Sequence, residues 1–297
     1  MPAGNKRTKF RKLLIGLIFA TNLIAIVLLF CSFLSWSVSP LNTNLFSYIG
    51  LGFGIILLVN VLYLVLWVTF SKWGLALVSL LSIVLCYKPV TAYFPLHLRS
   101  PKPPSSAIKV LTYNVQGFPQ ESNIHAKEQP ILDYIAATDA DIVCLQEYLV
   151  SKTGHSLISQ RDVNRILNKY PYRSITGLES SGKYHTFGLA CFSKYPIERT
   201  HEVVFESSYN GAAVYTININ GERYSVANVH LESNRIKPED KKLYSNFLQN
   251  SDTVRLDQVT SNIRNRLGGA YRTRAKQVEM VRQHLDTRDT RGTIICG

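Results

Sequence analysis

Asp141-Ile142-Val143-Cys144-Leu145-Gln146-Glu147 is the stretch that decides the fold of the second half of this chain. It is an apolar run of strand length that ends on a carboxamide and a carboxylate. Two further runs of the same kind are residues 108–115 (IKVLTYNV), which include Asn114, and residues 225–231 (SVANVHL), which include His230. Buried strands that carry Asn, Glu and His near their ends predict a hydrolytic site on the rim of a β-sheet.

Charge divides the chain into two parts. All 20 acidic residues lie after position 100, whereas the first 100 residues contain eight Lys and Arg. The remaining residues carry 25 basic and 20 acidic side chains, so their net charge is +5, although that of the whole chain is +13. A charge of +5 is compatible with a phosphate-bearing substrate, but many ordinary surfaces carry as much, so it selects no function.

Long uncharged runs near the N-terminus predict membrane-spanning helices. Residues 13–34 and 45–70 contain no Asp, Glu, Lys or Arg, and each run exceeds the roughly 20 residues that cross a bilayer core. Residues 73–94 are a weaker third candidate, which can span if Lys88 snorkels to the interface. Buried core helices are the alternative, but a globular core does not supply two such runs in succession.

Basic residues predict the orientation of these helices. The cluster within residues 1–12 holds five Lys and Arg, and positive charge is retained in the cytoplasm, so the N-terminus is expected inside. With three spans, everything after about residue 95 lies outside the cytoplasm; with two spans, it lies inside. The topology therefore depends on the weakest segment.

A proline-rich segment, residues 95–107, follows and predicts a semi-rigid linker. Residues 108–297 are enough for one α/β domain with a large core. Here strand-like runs alternate with helical patterns at 128–138 and 272–285, and Asn220-Gly221 between two strand-like runs predicts a β-hairpin. Strands joined by helices and by a hairpin predict α/β layers around mixed sheets.

The positions of the five cysteines favour neither a zinc site nor a catalytic thiol. No CxxC spacing exists, which disfavours a zinc site. Cys144, Cys191 and Cys296 each lie inside a strand-like apolar run, where a thiol is usually buried and inert. We therefore expect these three residues to serve packing and not catalysis.

Three polar residues are candidates for the site, each with an ordinary structural alternative. A carboxylate at Glu147 costs free energy unless it is paired or binds a cation, so Glu147 is a candidate Mg²⁺ or Mn²⁺ ligand, or else an exposed residue past a strand end. His230 could hold a phosphoryl oxygen or manage a proton during attack on phosphorus, or else be a hydrogen-bonded core histidine. Asn114 could orient a phosphate or the attacking water, or else close its strand as a turn residue.

Two neighbouring carboxamides are expected to support these side chains. Asn228 lies two residues before His230, and Gln146 immediately precedes Glu147. We expect both to hold the site residues in place from behind.

The order of the motifs resembles the endonuclease/exonuclease/phosphatase superfamily. TYNVQGF, DADIVCLQE, GLACFSKYPI and NVHLES precede a helix with Arg274-Ala275-Lys276-Gln277 and a strand TIICG. The resemblance runs from about Ile108 to the last residue. It implies a four-layer α/β sandwich, in which two mixed β-sheets lie face to face with helices outside, here preceded by the N-terminal transmembrane helical region. In that family the Asn after the first strand, the Glu of LQE and the His of N-x-H-L belong to the active site; they match Asn114, Glu147 and His230.

The resemblance also implies an activity. Members of the family hydrolyse phosphodiesters or phosphomonoesters with a divalent metal, here Mg²⁺ or Mn²⁺. We expect a membrane-anchored phosphoesterase that acts on a nucleic acid or a phospholipid head group and has no inferred protein partner. The three-span anchor is similar to that of membrane-attached bacterial members, which implies the inner membrane with the domain on the periplasmic side. The alternative is a non-catalytic membrane protein whose phosphoesterase-like domain binds a ligand or a partner.

One feature departs from the family's pattern. In the family, the strand that matches TIICG continues into a Gly-Asp-x-Asn motif, and an Asp-His pair follows, whereas this chain stops at Gly297. The chain is then either a fragment of a longer protein, which the end inside an apolar strand favours, or an inactive homologue. In both cases we expect these 297 residues to be inactive. Metal-dependent hydrolysis by purified residues 101–297 would contradict this expectation.

Overall fold

The computed structural model describes most of the chain as two compact units, Met1–Pro101 and Lys102–Gly297. The described residues are 3–95, 102–104, 106–118, 129–153, 158–234, 239, 245, 253–285 and 289–297. Part of the predicted linker, at positions 96–101 and 105, lies outside them. Each unit is described by itself below.

The first unit is helical. Its elements are α1 (Ala3–Leu34), α2 (Leu45–Leu51), α3 (Phe53–Thr69), α4 (Trp73–Leu85) and α5 (Tyr87–Tyr93). By length and composition α1 can cross a membrane on its own, over Lys9–Leu34. The pairs α2–α3 and α4–α5 each qualify only when counted as one span, and they are bent by 65° and 66°.

The predicted helices at 45–70 and 73–94 are thus not continuous, and local chemistry accounts for both breaks. Gly52 separates α2 from α3, and glycine is a poor helix former. Pro89 lies in the first turn of α5, where its missing N–H is not needed. The proline ring would clash with the carbonyl of Leu85 in a continuous helix, so α4 ends there.

The second unit begins with a mixed β-sheet. Its strands are β1 (Val110–Asn114), β2 (Ile142–Ser151), β3 (Tyr172–Gly177) and β4 (His185–Ser193). They lie in the order β1-β2-β4-β3, with β1 parallel to β2 and the other neighbours antiparallel. Along the chain, α6 (Pro130–Thr138) connects β1 to β2, and α7 (Gln160–Ile166) connects β2 to β3.

A second mixed sheet follows. Its strands are β5 (Ile197–Val204), β6 (Gly211–Ile219), β7 (Glu222–His230) and β8 (Gly292–Cys296), in that order across the sheet. Within this second sheet, as described, β7 and β8 pair in parallel and the other neighbours are antiparallel. The long helix α8 (Thr253–His284) lies between β7 and β8 in the chain. The predicted Asn220-Gly221 hairpin is confirmed: both residues have positive φ, 54° and 90°, as a tight primed turn requires.

Alternate residues of the strands build the layers. Cys144, Cys191 and Tyr215 belong to a buried cluster between the two sheets. On the outer face of the first sheet, strand residues such as Phe192 pack with α6 and α7, and on the outer face of the second sheet Val281 of α8 packs on the strands. The order helix, sheet, sheet, helix confirms the predicted four-layer α/β sandwich.

Several boundaries differ from those that the sequence predicts. The helix expected at 272–285 is longer and begins at Thr253. Its first half is rich in Arg, Asn and Thr, and apolar residues do not recur there with a clear helical spacing, so the sequence pattern did not predict it. The helix expected at 128–138 begins at Pro130, because Gln129 is its N-cap and has a non-helical backbone, with φ of −127° and ψ of 70°; residue 128 lies outside the described residues. Strands β3 and β5 have no counterpart in the sequence prediction.

Candidate functional site

The ends of β1 and β7 and a bulge in the middle of β2 meet at one edge of the sandwich and bring the predicted site residues together. Asn114 is the last residue of β1, Glu147 lies within β2, and His230 is the last residue of β7. The first two belong to one sheet and the third to the other. The candidate site therefore lies where the two sheets face each other at this edge.

A β-bulge in β2 aims the side chain of Glu147. The register of β2 against β4 shifts between Leu145 and Tyr148, so two residues of β2 oppose one residue of β4. Glu147 adopts a left-handed backbone conformation, with φ of 51°. Such a conformation costs a non-glycine residue about 1–3 kcal/mol. The surrounding strands hold Glu147 in it, and the bulge turns its carboxylate toward Asn114 and His230.

The two oxygens of the Glu147 carboxylate have different surroundings. Oε1 accepts a 2.7 Å hydrogen bond from Nδ2 of Asn114 and lies 3.3 Å from Nε2 of His230. Oε2 accepts no hydrogen bond from the described part of the chain. The side chain of Glu147 is 32% exposed. One oxygen is therefore held by neighbours, while the other has no hydrogen-bond partner among the described residues, in a side chain that is partly open to solvent.

The imidazole of His230 is oriented through its other nitrogen. Nδ1 lies 3.0 Å from the backbone carbonyl oxygen of Tyr209. A carbonyl oxygen can only accept, so Nδ1 carries the hydrogen. Nε2 points toward Oε1 of Glu147, which also can only accept. This contact is an ion pair when both ring nitrogens carry hydrogen, whereas in the neutral ring Nε2 has the lone pair. The ring is 20% exposed, so it is accessible from the edge.

Backbone groups fix the carboxamide of Asn114. Its Oδ1 accepts a 3.0 Å hydrogen bond from the N–H of Gln116, which leaves Nδ2 to donate to Glu147. The next residue, Gly117, has φ of 72° and donates its N–H to the carbonyl of Glu147. The turn after β1 thereby sets the orientation of the amide, so Asn114 presents a donor to the carboxylate.

Gln146 and Asn228 form the buried floor of the site, behind Glu147 and His230. Nε2 of Gln146 donates to Oδ1 of Asn228 over 2.7 Å and to Oγ1 of Thr112 over 3.1 Å. Asn228 donates to two carbonyls of the first sheet, those of Leu145 and Ala190. Both carboxamides are fully buried. Both therefore lie behind Glu147 and His230, where their supporting role remains a prediction.

The donor set fits a hard cation that keeps most of its waters. Mg²⁺ and Mn²⁺ are commonly held by one or two carboxylates, with water and substrate oxygens in the remaining positions. Glu147 offers such a carboxylate oxygen at an open edge. Among the described residues no group of three or more His, Cys, Asp and Glu side chains could hold a metal ion. The described side chains therefore supply one carboxylate ligand and not a complete cage.

The buried cysteines take no part in this geometry. Cys144, Cys191 and Cys296 are enclosed between the sheets. A hydrogen bond with Cys191, together with burial, holds the pKa of the Cys144 thiol well above its usual range. A neutral, enclosed thiol is a poor nucleophile, and the three residues act as packing groups, in agreement with the sequence prediction.

Sequence reasoning missed two contributors to the site. Tyr209 acts through its backbone carbonyl, which carries no side-chain signature. Thr112, which accepts from Gln146, lies two residues before Asn114 on the same strand. Side chains two residues apart lie on the same face of a strand, so this alternation could have identified Thr112 from the sequence.

Comparison with known families gives two matches. A family model described as the endonuclease/exonuclease/phosphatase family matches residues 111–297, and a model described only as a domain of unknown function matches residues 11–93. No curated protein matches the chain.

Solved structures resemble less than half of this chain, at low identity. An endonuclease/exonuclease/phosphatase from Beutenbergia cavernae is 16% identical over 45% of this chain, with a TM-score of 0.37. Sphingomyelinase C from Streptomyces griseocarneus is 26% identical over 42% of this chain, with a TM-score of 0.30. A beta toxin mutant from Staphylococcus aureus with bound magnesium ions is 22% identical over 42% of this chain, with a TM-score of 0.31.

The match spans 41%, 49% and 50% of the lengths of these three chains, respectively. The assignment rests on the family model, which covers more than half of the chain. Since its matched region contains the two sheets and all five predicted site residues, this chain belongs to the endonuclease/exonuclease/phosphatase family.

Proposed function

We propose that this protein is a membrane-anchored, metal-dependent phosphoester hydrolase whose site is centred on Glu147. The observation that carries the proposal is the convergence on one carboxylate oxygen: Asn114 donates to Oε1 of Glu147 and His230 faces the same atom. These three residues come from segments that are far apart in the sequence. A carboxylate, an imidazole and a carboxamide at an open edge are suited to phosphoester chemistry.

Each residue has a distinct part in the proposed reaction. A divalent cation bound there would polarise the phosphorus oxygens and offset charge on the leaving oxygen. Glu147 would hold it through Oε2, which accepts no hydrogen bond from the described residues, while Asn114 keeps Oε1 in place. His230 directs Nε2 to the same point, where the protonated ring could donate to a phosphoryl oxygen and the neutral ring could accept a proton.

Metal binding and turnover test the proposal separately. The full chain in detergent micelles is titrated with Mn²⁺, followed by electron paramagnetic resonance, and assayed on bis(p-nitrophenyl) phosphate and p-nitrophenyl phosphate. We expect Glu147→Gln to abolish Mn²⁺ binding, because an amide is a much weaker ligand. The matched control is Glu202→Gln, which neutralises an exposed carboxylate on β5. Equal Mn²⁺ binding by Glu147→Gln and the natural chain would refute the site.

The turnover assay distinguishes the hydrolase from the non-catalytic alternative. Hydrolysis that requires both Mn²⁺ and Glu147 supports the enzyme. Mn²⁺ binding at Glu147 without hydrolysis is the outcome expected both of the inactive chain that the sequence predicts and of the alternative, a domain that binds a ligand or a partner. Comparison of a single-stranded oligonucleotide with phospholipid vesicles as substrates then separates the two proposed substrate classes.

The anchoring role is proposed from the helical unit. One helix is long and apolar enough to span a membrane, and the two bent pairs bring the number to three if each counts as one span. Three spans with the basic N-terminus inside would place the second unit on the periplasmic side of the inner membrane. A reporter fused after Ser106 tests this topology: a cytoplasmic signal would exclude the three-span arrangement.

A further inference from the structure

The loop between β5 and β6, residues 205–210, supplies the carbonyl that orients His230. We refer to it as the Tyr209 loop. Its carbonyl at Tyr209 lies 3.0 Å from Nδ1 of His230, and this is the ring nitrogen that faces away from Glu147. The direction of the imidazole at the site therefore depends on where this loop holds one backbone oxygen.

The side chain of Tyr209 anchors the loop to the opposite sheet. Its ring meets the ring of Phe187 edge-on, with centroids 5.8 Å apart and an angle of 78° between the planes. Phe187 lies on β4 of the first sheet, whereas the Tyr209 loop belongs to the second sheet. An edge-to-face aromatic pair contributes about 0.5–1.5 kcal/mol beyond its buried area. The pair thus holds the Tyr209 loop of the second sheet against β4 of the first sheet.

Tyr209 is otherwise an exposed residue. Its side chain is 63% exposed, although large aromatic side chains are usually buried. The described contacts show no bond from its hydroxyl group. What the residue contributes to the fold is therefore the ring contact with Phe187 and the backbone carbonyl.

A second loop holds the Tyr209 loop from the side. The backbone N–H of Ser180, in the turn between β3 and β4, donates to the carbonyl of Ser208 over 2.9 Å. The hydroxyl of Ser208 donates to Oε2 of Glu179 over 2.9 Å. Both bonds hold the residue that precedes Tyr209, so the peptide that carries the orienting carbonyl is held at its N-terminal side as well as by its ring.

We propose that Tyr209 and Phe187 are positioning residues for His230, an inference that rests on the proposed function of the site. Their ring pair fixes the Tyr209 loop, and the loop's carbonyl fixes the imidazole with hydrogen on Nδ1 and Nε2 toward Glu147. The ring of Tyr209 is what matters in this arrangement, and its hydroxyl is dispensable.

The first test measures which ring nitrogen of His230 carries the hydrogen, and it does not require catalytic activity. The full chain in micelles, without metal, is labelled with ¹⁵N at histidine, and the His230 signals are assigned by their loss in His230→Asn. At a pH where the ring is neutral, we expect the natural chain and Tyr209→Phe to show hydrogen on Nδ1. Tyr209→Ala and Phe187→Leu are expected to show a mixture of the two tautomers.

The second test uses kinetics where the chain turns over phosphoester. Tyr209→Ala is expected to lower kcat by about 10- to 100-fold with little change in KM, because a displaced catalytic group misaligns the reaction without removing a binding contact. Tyr209→Phe should restore kcat. The control is Tyr184→Ala, which removes a ring of similar exposure, 62%, that has no aromatic partner in the described residues.

The outcomes separate this inference from the proposed function. If Tyr209→Ala keeps hydrogen on Nδ1 as in the natural chain, the positioning role is refuted whether or not the protein is an enzyme. If Tyr209→Phe is as damaging to kcat as Tyr209→Ala, the hydroxyl acts on the substrate and the inference is again wrong. Phe187→Leu keeps an apolar side chain on β4, so it provides a folded variant if Tyr209→Ala does not fold.

Discussion

Nε2 of Gln146 donates a 2.7 Å hydrogen bond to Oδ1 of Asn228, and this bond joins the two sheets directly beneath the candidate site. Gln146 immediately precedes Glu147, and Asn228 lies two residues before His230. The relative position of the carboxylate and the imidazole is therefore set by one buried carboxamide pair. Fold stability and site geometry depend on the same contact.

Replacement of Asn228 should be costly for stability. Asn228→Ala leaves the amide of Gln146 and the carbonyls of Leu145 and Ala190 without this partner in a buried place. We expect the free energy of unfolding to fall by about 3 kcal/mol, since an unsatisfied buried polar group costs about 1–3 kcal/mol. Guanidinium unfolding in micelles, followed by circular dichroism, measures the loss. Asn218→Ala, which removes surface hydrogen bonds, is the control, and an equal loss in both variants would contradict the role of Asn228.

The left-handed backbone of Glu147 gives a second prediction. Glu147→Gly and Glu147→Val both remove the carboxylate, so neither should bind Mn²⁺ at the site. Glycine adopts a φ of 51° without strain, whereas a β-branched valine does so with difficulty. We expect Glu147→Val to be less stable than Glu147→Gly by about 1–3 kcal/mol in thermal or chemical unfolding. Equal stabilities would mean that the bulge relaxes when the side chain changes.

Sequence motifs were sufficient to predict the layers and to place Asn114 and His230 at strand ends, whereas the strand of Glu147, expected to end before this residue, continues to Ser151. Strands β3 and β5 were missed for a physical reason. Both lie at the edges of their sheets, and β5 (IERTHEVV) exposes five consecutive residues to solvent. Such a strand lacks the alternation of apolar and polar residues that marks a half-buried one. Its place is set by pairing with β6, which a sequence pattern does not reveal.

The finer geometry of the site was beyond prediction for a related reason. The positive φ of Glu147 and the carbonyl of Tyr209 are properties of the backbone. Glutamate at a left-handed position has no sequence signal, unlike Asn220-Gly221, where both residue types favour the turn that forms. Side-chain identity therefore identified the candidate site residues, and tertiary structure determined their orientation.

Buried Tyr148 predicts a stability change at alkaline pH. Its hydroxyl donates to Oε1 of Gln160 over 2.9 Å, and burial raises the pKa of Tyr148 well above its usual range. A pKa raised in the folded state contributes stability that is complete below the unfolded value of about 10 and is lost as the pH rises above it. Folding stability should therefore fall at alkaline pH in part because of this residue.

Tyr148→Phe tests this coupling. We expect the variant to be about 1 kcal/mol less stable at neutral pH, because it lacks the hydrogen bond to Gln160. Above about pH 10 the difference should shrink, because only the natural chain must keep a buried phenol from ionising. Chemical unfolding at several pH values measures both effects. A difference that stays constant from neutral to alkaline pH would show that Tyr148 does not contribute to the alkaline loss.

A buried polar cluster joins the helices of the first unit. Oδ1 of Asn22 on α1 accepts hydrogen bonds from Nε1 of Trp67 on α3, over 2.9 Å, and from Oγ of Ser79 on α4, over 3.0 Å. All three side chains are buried. In an apolar surrounding these donors have no alternative partner such as water, so one carboxamide oxygen connects three helices.

We expect Asn22→Leu to lower the Tm of the helical unit in micelles, since it leaves the indole N–H and the hydroxyl unpaired. Interhelical hydrogen bonds of this kind contribute about 0.6–2 kcal/mol each. Trp67→Phe removes only one donor, so a double-mutant cycle with Asn22→Leu isolates that bond. The control is Thr21→Val, which removes an exposed bond to Tyr63 one residue away. Additive effects of Asn22→Leu and Trp67→Phe would mean that the two side chains do not stabilise each other, and the helices would then be held by apolar packing.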